Sequence, residues 1–357
     1  MTELSSFPIF FLGANNYSGY ISRFADCFSG EEGWRVWVLK GGPGSGKSTF
    51  MKKAAARLAK IDPSLFLAPC PADPNSLDAV VSPKRKLMIL DGTAPHPMEP
   101  PLPGISGRII DTGQFWNAEK LLENKEKIAA LFNQNSRLHA RAAGYMAAAG
   151  RLLGESQRMA AEATDIKKAK KFGEALVSKL IPKGSGSGRE QIRFLSGITP
   201  AGIIYYRSTA QKLCGKIIEI WDDFGAASSA VFQGIRKVAL ERGQFVVNCR
   251  CPLHPLDKTD HILLPQLGIG FCSVNRYLGA ADAERRIHSQ RFTDTDALRQ
   301  HKAHLSFNRK ATKELLDCAA EILGDAKRVH DLLEQYYTEA MDYKSMDDYC
   351  NLILEEI

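Results

Sequence analysis

The chain has no apolar run long enough to cross a bilayer. Its early apolar patch, Phe7-Pro8-Ile9-Phe10-Phe11-Leu12, lacks a basic leader and a small-residue cleavage site, so a buried first strand is expected there rather than an export signal. A disulfide framework is also missing. The eight cysteines are scattered, which predicts reduced thiols in a cytoplasmic protein. Charge bias is weak: +7 over 357 residues suits phosphorylated ligands without demanding nucleic acid, and no specific nucleic-acid or membrane partner is expected. The densest basic run, Lys167 to Lys171, has no interleaved aromatics and reads as a solvated helix face. Cys249-Arg250-Cys251 with His254 places three metal-capable side chains together. No second ligand pair follows nearby, so a strand end carrying two thiols is the simpler expectation.

What is present is an internal repeat. Phe11-Leu12-Gly13 with Gly19 is echoed by Leu195-Ser196-Gly197 with Gly202. Arg35 to Leu39 is echoed by Lys216 to Ile220, and Cys70-Pro71 by Cys251-Pro252. Asp78 and Pro83 match Asp260 and Pro265, and Leu87 to Leu90 matches Leu267 to Phe271. Short apolar strands alternating with helical patterns in each copy predict α/β units with a parallel sheet. Each copy then runs into a long helical arm, with stripes through Ala142, Met146 and Ala149 in the first and Leu316, Ala319 and Leu323 in the second. The small residues of 141–150 predict close approach of another helix. The expected divisions are 1–117, a helical arm at 118–183, a Gly/Ser linker at 184–188, a second unit at 189–280 and a C-terminal arm at 281–357.

Gly41-Gly42-Pro43-Gly44-Ser45-Gly46-Lys47-Ser48 fits G-x-x-x-x-G-K-[ST], between a predicted buried strand and a predicted helix from Thr49. Glycines let successive N–H groups turn inward toward phosphate oxygens, and the helix N-terminus adds free donors. The expected ligand contacts are Gly42, Pro43, Gly44, Ser45, Gly46, Lys47, Ser48 and Thr49. Lys47 would reach the terminal phosphates, and Ser48 would ligate Mg2+. Asp91, ending the apolar strand Leu87 to Leu90, is the expected second Mg2+ ligand. No glutamate follows it: Gly92, Thr93, Ala94, Pro95 and His96 come next. Thr93 is therefore a candidate γ-phosphate sensor and His96 a candidate acid or base. Asp73 and Asp78 are candidate bases toward an acceptor hydroxyl, with turn chemistry as the alternative for Asp73-Pro74. Asp111 to Gln114 is a weaker candidate for the rim. Three outcomes stay open: an ATPase working at the N-terminal site only, a small-molecule or nucleoside kinase, and a nucleotide-dependent interaction module whose arms recruit a protein partner.

The second copy lacks this loop chemistry. Registering its strand on the first sets Gly41 opposite Asp222, Gly46 opposite Ala227, Lys47 opposite Ser228 and Asp91 opposite Ser273. Asp222 and Asp223 would repel a triphosphate. The second half is expected to be a scaffold or regulator, with Arg207, Arg250 and Arg276 as candidates to reach the first site.

The segments FFLGANNYSGY at 10–20, LKGGPGSGKSTFMKK at 39–53, CPADPNSLDAVVSP at 70–83, LMILDGTAPH at 87–96 and HDLLEQYYTEAMD at 330–342 resemble a family of bacterial proteins with duplicated P-loop ATPase domains, mostly of undefined function. The resemblance spans nearly the full length. It implies two tandem P-loop NTPase-like units, the second degenerate here, and ATP binding by Lys47 and Ser48 with Asp91 as the Walker B carboxylate. The absence of an N/T-K-x-D guanine signature agrees with ATP.

Overall fold

The computed structural model describes residues 6–16, 19–28, 33–94, 97–182, 186–280 and 282–357. It is a mixed α/β structure with two main sheets and two long helices. The first sheet contains β3 (Arg35–Lys40), β4 (Phe66–Pro69), β5 (Leu77–Ser82), β6 (Leu87–Asp91) and β7 (Gly107–Asp111) in the order β4-β5-β6-β3-β7, preceded by a hairpin of β1 (Gly13–Asn16) and β2 (Gly19–Ser22). The helix α1 (Lys47–Leu58) follows β3.

The second sheet contains β8 (Arg189–Arg193), β11 (Lys216–Trp221), β12 (Phe245–Cys251), β13 (His254–Leu264), β14 (Ile269–Val274) and β15 (Arg285–His288), ordered β15-β11-β14-β13-β12-β8. The hairpin of β9 (Ser196–Thr199) and β10 (Gly202–Tyr205), then α5 (Arg207–Cys214), precede β11, and α6 (Ala226–Glu241) follows it. The same neighbour relations run through both sheets. Leu39 pairs with Asp91 as Ile220 pairs with Ser273, and Ala79 pairs with Leu90 as His261 pairs with Cys272. Five strands thus recur in the same neighbour order, and the second sheet adds β8 at its edge, where the first has only the single bridge of Ile9 to Leu67.

Neither sheet is wholly parallel, which corrects the expectation of parallel sheets. β3 is parallel to β6 and β7, but β5 is antiparallel to both β4 and β6. The connections explain this. A turn in which Lys86 N–H donates to Pro83 C=O joins β5 to β6, far too short for a parallel crossover. The strand expected at Phe7–Leu12 is realised as two single bridges, Ile9 to Leu67 and Phe11 to Phe194, with Phe10, Phe11 and Leu12 fully buried. Burial is what the apolar run required; Phe11 uses it to tie the two halves together.

The arms are α3 (Lys125–Glu162) and α8 (Lys302–Glu339), each 38 residues, introduced by the short helices α2 (Ala118–Glu123) and α7 (Thr295–Gln300). They pack antiparallel. Ala142, Met146 and Ala149 are buried against Leu316, Ala319, Ile322 and Leu323, as the small-residue run predicts. Each arm then ends on the other half. The helix α4 (Ile166–Ser178), capped by Asp165, lies on α6; α9 (Tyr343–Leu354), capped by Asp342, lies on α1. The α4–α6 crossing needs glycine. A Cβ on Gly173 would sit 2.1 Å from Val231 C=O, and one on Gly234 2.2 Å from Lys170 C=O. Lys167 to Lys171 lies on α4, where Ala169 is buried and Lys167 and Lys168 are exposed. Among the described residues, no helix is long and apolar enough to cross a membrane.

Candidate functional site

The directions of the strands decide where the chemistry gathers. β3, β4, β6 and β7 run the same way, so Lys40, Pro69, Asp91 and Asp111 end at one edge of the first sheet, and β5 begins there with Leu77 and Asp78. Loops at such an edge line the crevice of an open α/β sheet.

The loop 41–46 crosses this edge. Gly41, Gly44 and Gly46 have φ of 143, 66 and 78°, and Gly46 is the left-handed N-cap of α1. A side chain at these positions would be strained, which is why the turn needs glycine. Ser45 Oγ donates to Gly42 C=O at 2.9 Å, and Thr112 Oγ1, with one proton to give, stands 2.9 Å from both Ser45 Oγ and Lys40 C=O, bracing the loop from β7. Lys47, in the first turn of α1, folds its ammonium back over the loop. It donates to Gly41 C=O and Gly42 C=O, each at 2.8 Å, and stands 3.7 Å from Asp91 Oδ2. The result is a ring of backbone with a helix N-terminus below it and one cation above, a site for anionic oxygens.

The other expected residues take definite places. Ser48 Oγ accepts from Leu77 N–H at 3.1 Å, so the hydroxyl faces the start of β5. Pro43 is half-buried within the loop, while Thr49 is exposed on α1. Asp91 Oδ1 accepts from Thr93 N–H at 2.9 Å and from Thr93 Oγ1 at 2.6 Å; the Thr93 hydroxyl orients the carboxylate. His96 lies outside the described residues. Asp73 accepts from Asn75 N–H and Ser76 Oγ in its own turn and lies 3.5 Å from Lys327 on α8. Asp78 is buried beside Cys70 and Tyr20. Burial, then the Asp78 charge, pushes the Cys70 thiol well up; burial followed by the charges of Asp78, Cys70 and Asp91 does the same to the Tyr20 hydroxyl. Asp111 is exposed and accepts from Gly113 N–H at 2.8 Å, holding the rim turn, where Gln114 Nε2 donates to Asp111 C=O at 2.7 Å.

The sequence reading missed the cover over the loop. Trp116 approaches Gly42, with the Tyr337 ring tilted beside it at 5.1 Å. Thr338 and Glu334 of α8 press on Gly44, Tyr343 Oη donates to Gly44 C=O at 2.8 Å, and Met346 lies against Gly46. Added Cβ atoms at Gly42, Gly44 and Gly46 would come within 2.9, 2.7 and 2.6 Å of Trp116, Thr338 and Met346. The C-terminal arm of the second half therefore covers the loop of the first. The segment 330–342, one of those that carry the family resemblance, was the available signal, but nothing in a linear sequence says which half it will touch.

The equivalent edge of the second sheet is built differently. The connection from β11 to α6 is 222–225, four residues against the six of 41–46. Gly225, φ 82°, is the left-handed N-cap of α6, so it corresponds to Gly46, and Lys47 corresponds to Ala226. This corrects the register that paired Lys47 with Ser228: counting from the strand ignored a two-residue deletion. Asp222 fills the shortened loop. Its carboxylate accepts from Ser228 N–H at 2.8 Å and Phe224 N–H at 3.2 Å, so an internal anion already occupies the helix N-terminus. Lys258 is buried in contact with Asp260; burial is the largest influence and pulls its pKa down, but the charge and hydrogen bond of Asp260 together with the charges of Cys251 and Asp222 outweigh it and raise the pKa above the usual lysine value.

Cys249 and Cys251 are buried in different cores, and His254 Nε2 contacts Gly150 C=O at 2.8 Å. Alternation alone would set residues two apart on one face; the bulge at Arg250 breaks the register between them and separates the two thiols. Among the described residues, no group of three His, Cys, Asp or Glu side chains is placed to hold a metal. Arg276 stands 3.7 Å from Asp223, Arg250 donates to Leu256 C=O at 3.2 Å, and Arg207 lies over the Tyr205 ring at 5.9 Å, so all three have partners within the second half. Against known proteins, the chain matches no protein-family model, no curated protein and no solved structure.

Proposed function

We propose that the loop 41–48 is a P-loop that binds ATP with Mg2+, and that the chain belongs to the family of duplicated P-loop ATPases it resembles, with two tandem P-loop-like units of which the second is degenerate. One observation carries the reading: the Lys47 ammonium stands over a glycine-built backbone ring at a helix N-terminus, 3.7 Å from Asp91. The residues fit the ligand. The loop N–H groups would face phosphate oxygens, and Lys47 would exchange the Gly41 and Gly42 carbonyls for phosphate. Ser48 and Asp91 would hold the metal, which neutralises charge developing on the phosphates. Thr93 keeps Asp91 oriented. ATP turnover is proposed at this site alone, in a cytoplasmic protein.

A second reading, in which occupancy rather than turnover is the output, is favoured by the contacts of Glu334, Thr338, Tyr343 and Met346 with the loop. Any phosphate entering the loop must be read by the arm that covers it. Mg-ATP binding and phosphate release, measured beside Lys47→Ala, test both readings. Removing a charged partner of the phosphates weakens ATP affinity by about tenfold to a hundredfold. Unchanged affinity in that variant would sink the shared premise. Binding without Lys47-dependent release would select the second reading.

A further inference from the structure

The second half holds a partly open cavity at the sheet edge equivalent to that of the 41–48 loop. It is lined by the shortened loop, the end of β12 and start of β13, the turn after β14, and faces of α3 and α8. We propose that it binds a small monoanion with an apolar body, a carboxylate or sulfonate carrying an aryl or branched alkyl group.

Three observations define the ligand. The walls are mainly apolar, from Leu153, Ile198, Ile203, Phe224, Leu253 and Leu316. Such a lining recognises shape and hydrophobic area. A polyphosphate is disfavoured, since Asp222 occupies the N-terminus of α6 and Asp223 adds a second carboxylate at the mouth.

The remaining charges then set the sign. Lys258 is neutralised by Asp260 and Arg276 stands beside Asp223. Arg309 of α8 is the cation left over: Nη2 donates to Ser306 Oγ at 3.3 Å, and no carboxylate lies within ion-pair distance of it among the described residues. One turn further along α8, on the same face, Thr312 is 1% exposed. The residue lines the cavity, and its buried hydroxyl has no hydrogen-bond partner among the described residues. A buried hydroxyl without a partner is unfavourable. A ligand carboxylate bridging Arg309 and Thr312 satisfies both groups at once.

The probe is 8-anilinonaphthalene-1-sulfonate, an aryl monoanion, titrated by fluorescence into the full chain without nucleotide, so the outcome is separate from that of the 41–48 loop. One saturable site is expected. Arg309→Gln weakens it about tenfold, while the neutral analogue N-phenyl-1-naphthylamine keeps its affinity in that variant. Leu153→Trp, which fills the cavity from its half-buried rim, blocks both probes. On the unaltered protein, 2-naphthoate displaces the sulfonate about tenfold more effectively than 2-naphthalenemethanol does, which requires no variant to fold. Absence of saturable binding, or affinity unchanged in both variants, overturns the site. Blockage by Leu153→Trp with equal displacement by the acid and the alcohol overturns the monoanion.

Discussion

Asp222 shows how a single side chain redirects a loop. Its carboxylate takes the N–H groups of Phe224 and Ser228 at the N-terminus of α6. Asp222→Ala removes an internal cap, and the expected cost is about 1–2 kcal/mol, measured as a lower denaturation midpoint at unchanged slope. His261 makes a different case. It is fully buried, stacked 5.2 Å from Tyr205. Burial lowers its pKa from 6.5 to about 4; Asp260 acts in the opposite direction and Lys258 in the same one. The unfolded chain therefore takes up a proton as pH falls through 6.5, whereas the folded chain does so only near 4. This contribution to stability is complete above pH 6.5 and is lost as pH falls toward 4, on the order of 3 kcal/mol. Denaturant melts of His261→Phe should show a shallower acid loss than the parent over that window. Parallel curves would refute the assignment.

Among the elements, the arms were the most legible. The 3.6-residue stripes of α3 and α8, and the small residues at 141–150, show in the sequence because a buried helix face must repeat at that period. The partner was not legible, because a stripe says that something covers it and not what. The β5 strand was also missed. Cys70 to Asp78 reads as turn chemistry, and the short antiparallel return it makes carries no period of its own. Gly173 and Gly234 belong here too: their role exists only where α4 crosses α6. Gly234→Ala is expected to cost about 2–3 kcal/mol through steric overlap with Lys170 C=O, against a small helix-propensity gain. A rise in melting temperature would contradict the close crossing.

For the whole molecule, the governing feature is exchange of arms. α9, at the end of the second half, buries Met346, Cys350, Ile353 and Leu354 on α1 of the first, while α4 of the first half buries Ala169 and Val177 on α6 of the second. Each half thus completes the other's core. Ending the chain after residue 342 strips four apolar side chains from α1 and uncovers the Gly46 turn; at about 1.5 kcal/mol per side chain the loss is at most roughly 6 kcal/mol. Residues 1–183 and 189–357 expressed apart should lack cooperative melting and regain it when combined. Independent two-state unfolding of either piece would disprove this mutual dependence.

The linear chain settled whatever depends on local geometry or on residue type. The glycine turn before α1, the Asp91 strand end, the helical stripes and the repeat itself follow from φ preferences, side-chain alternation and periodicity, and each is where those rules put it. Folding settled whatever depends on contacts between distant segments. The closing segment 330–342 came to lie on the loop at 41–46, the two-residue deletion moved Gly225 into the place of Gly46, and Arg309 was left without a carboxylate among the described residues while Lys258 and Arg276 received theirs. Burial and charge pairing are properties of surroundings, and the surroundings of a residue are assembled only when the chain closes on itself.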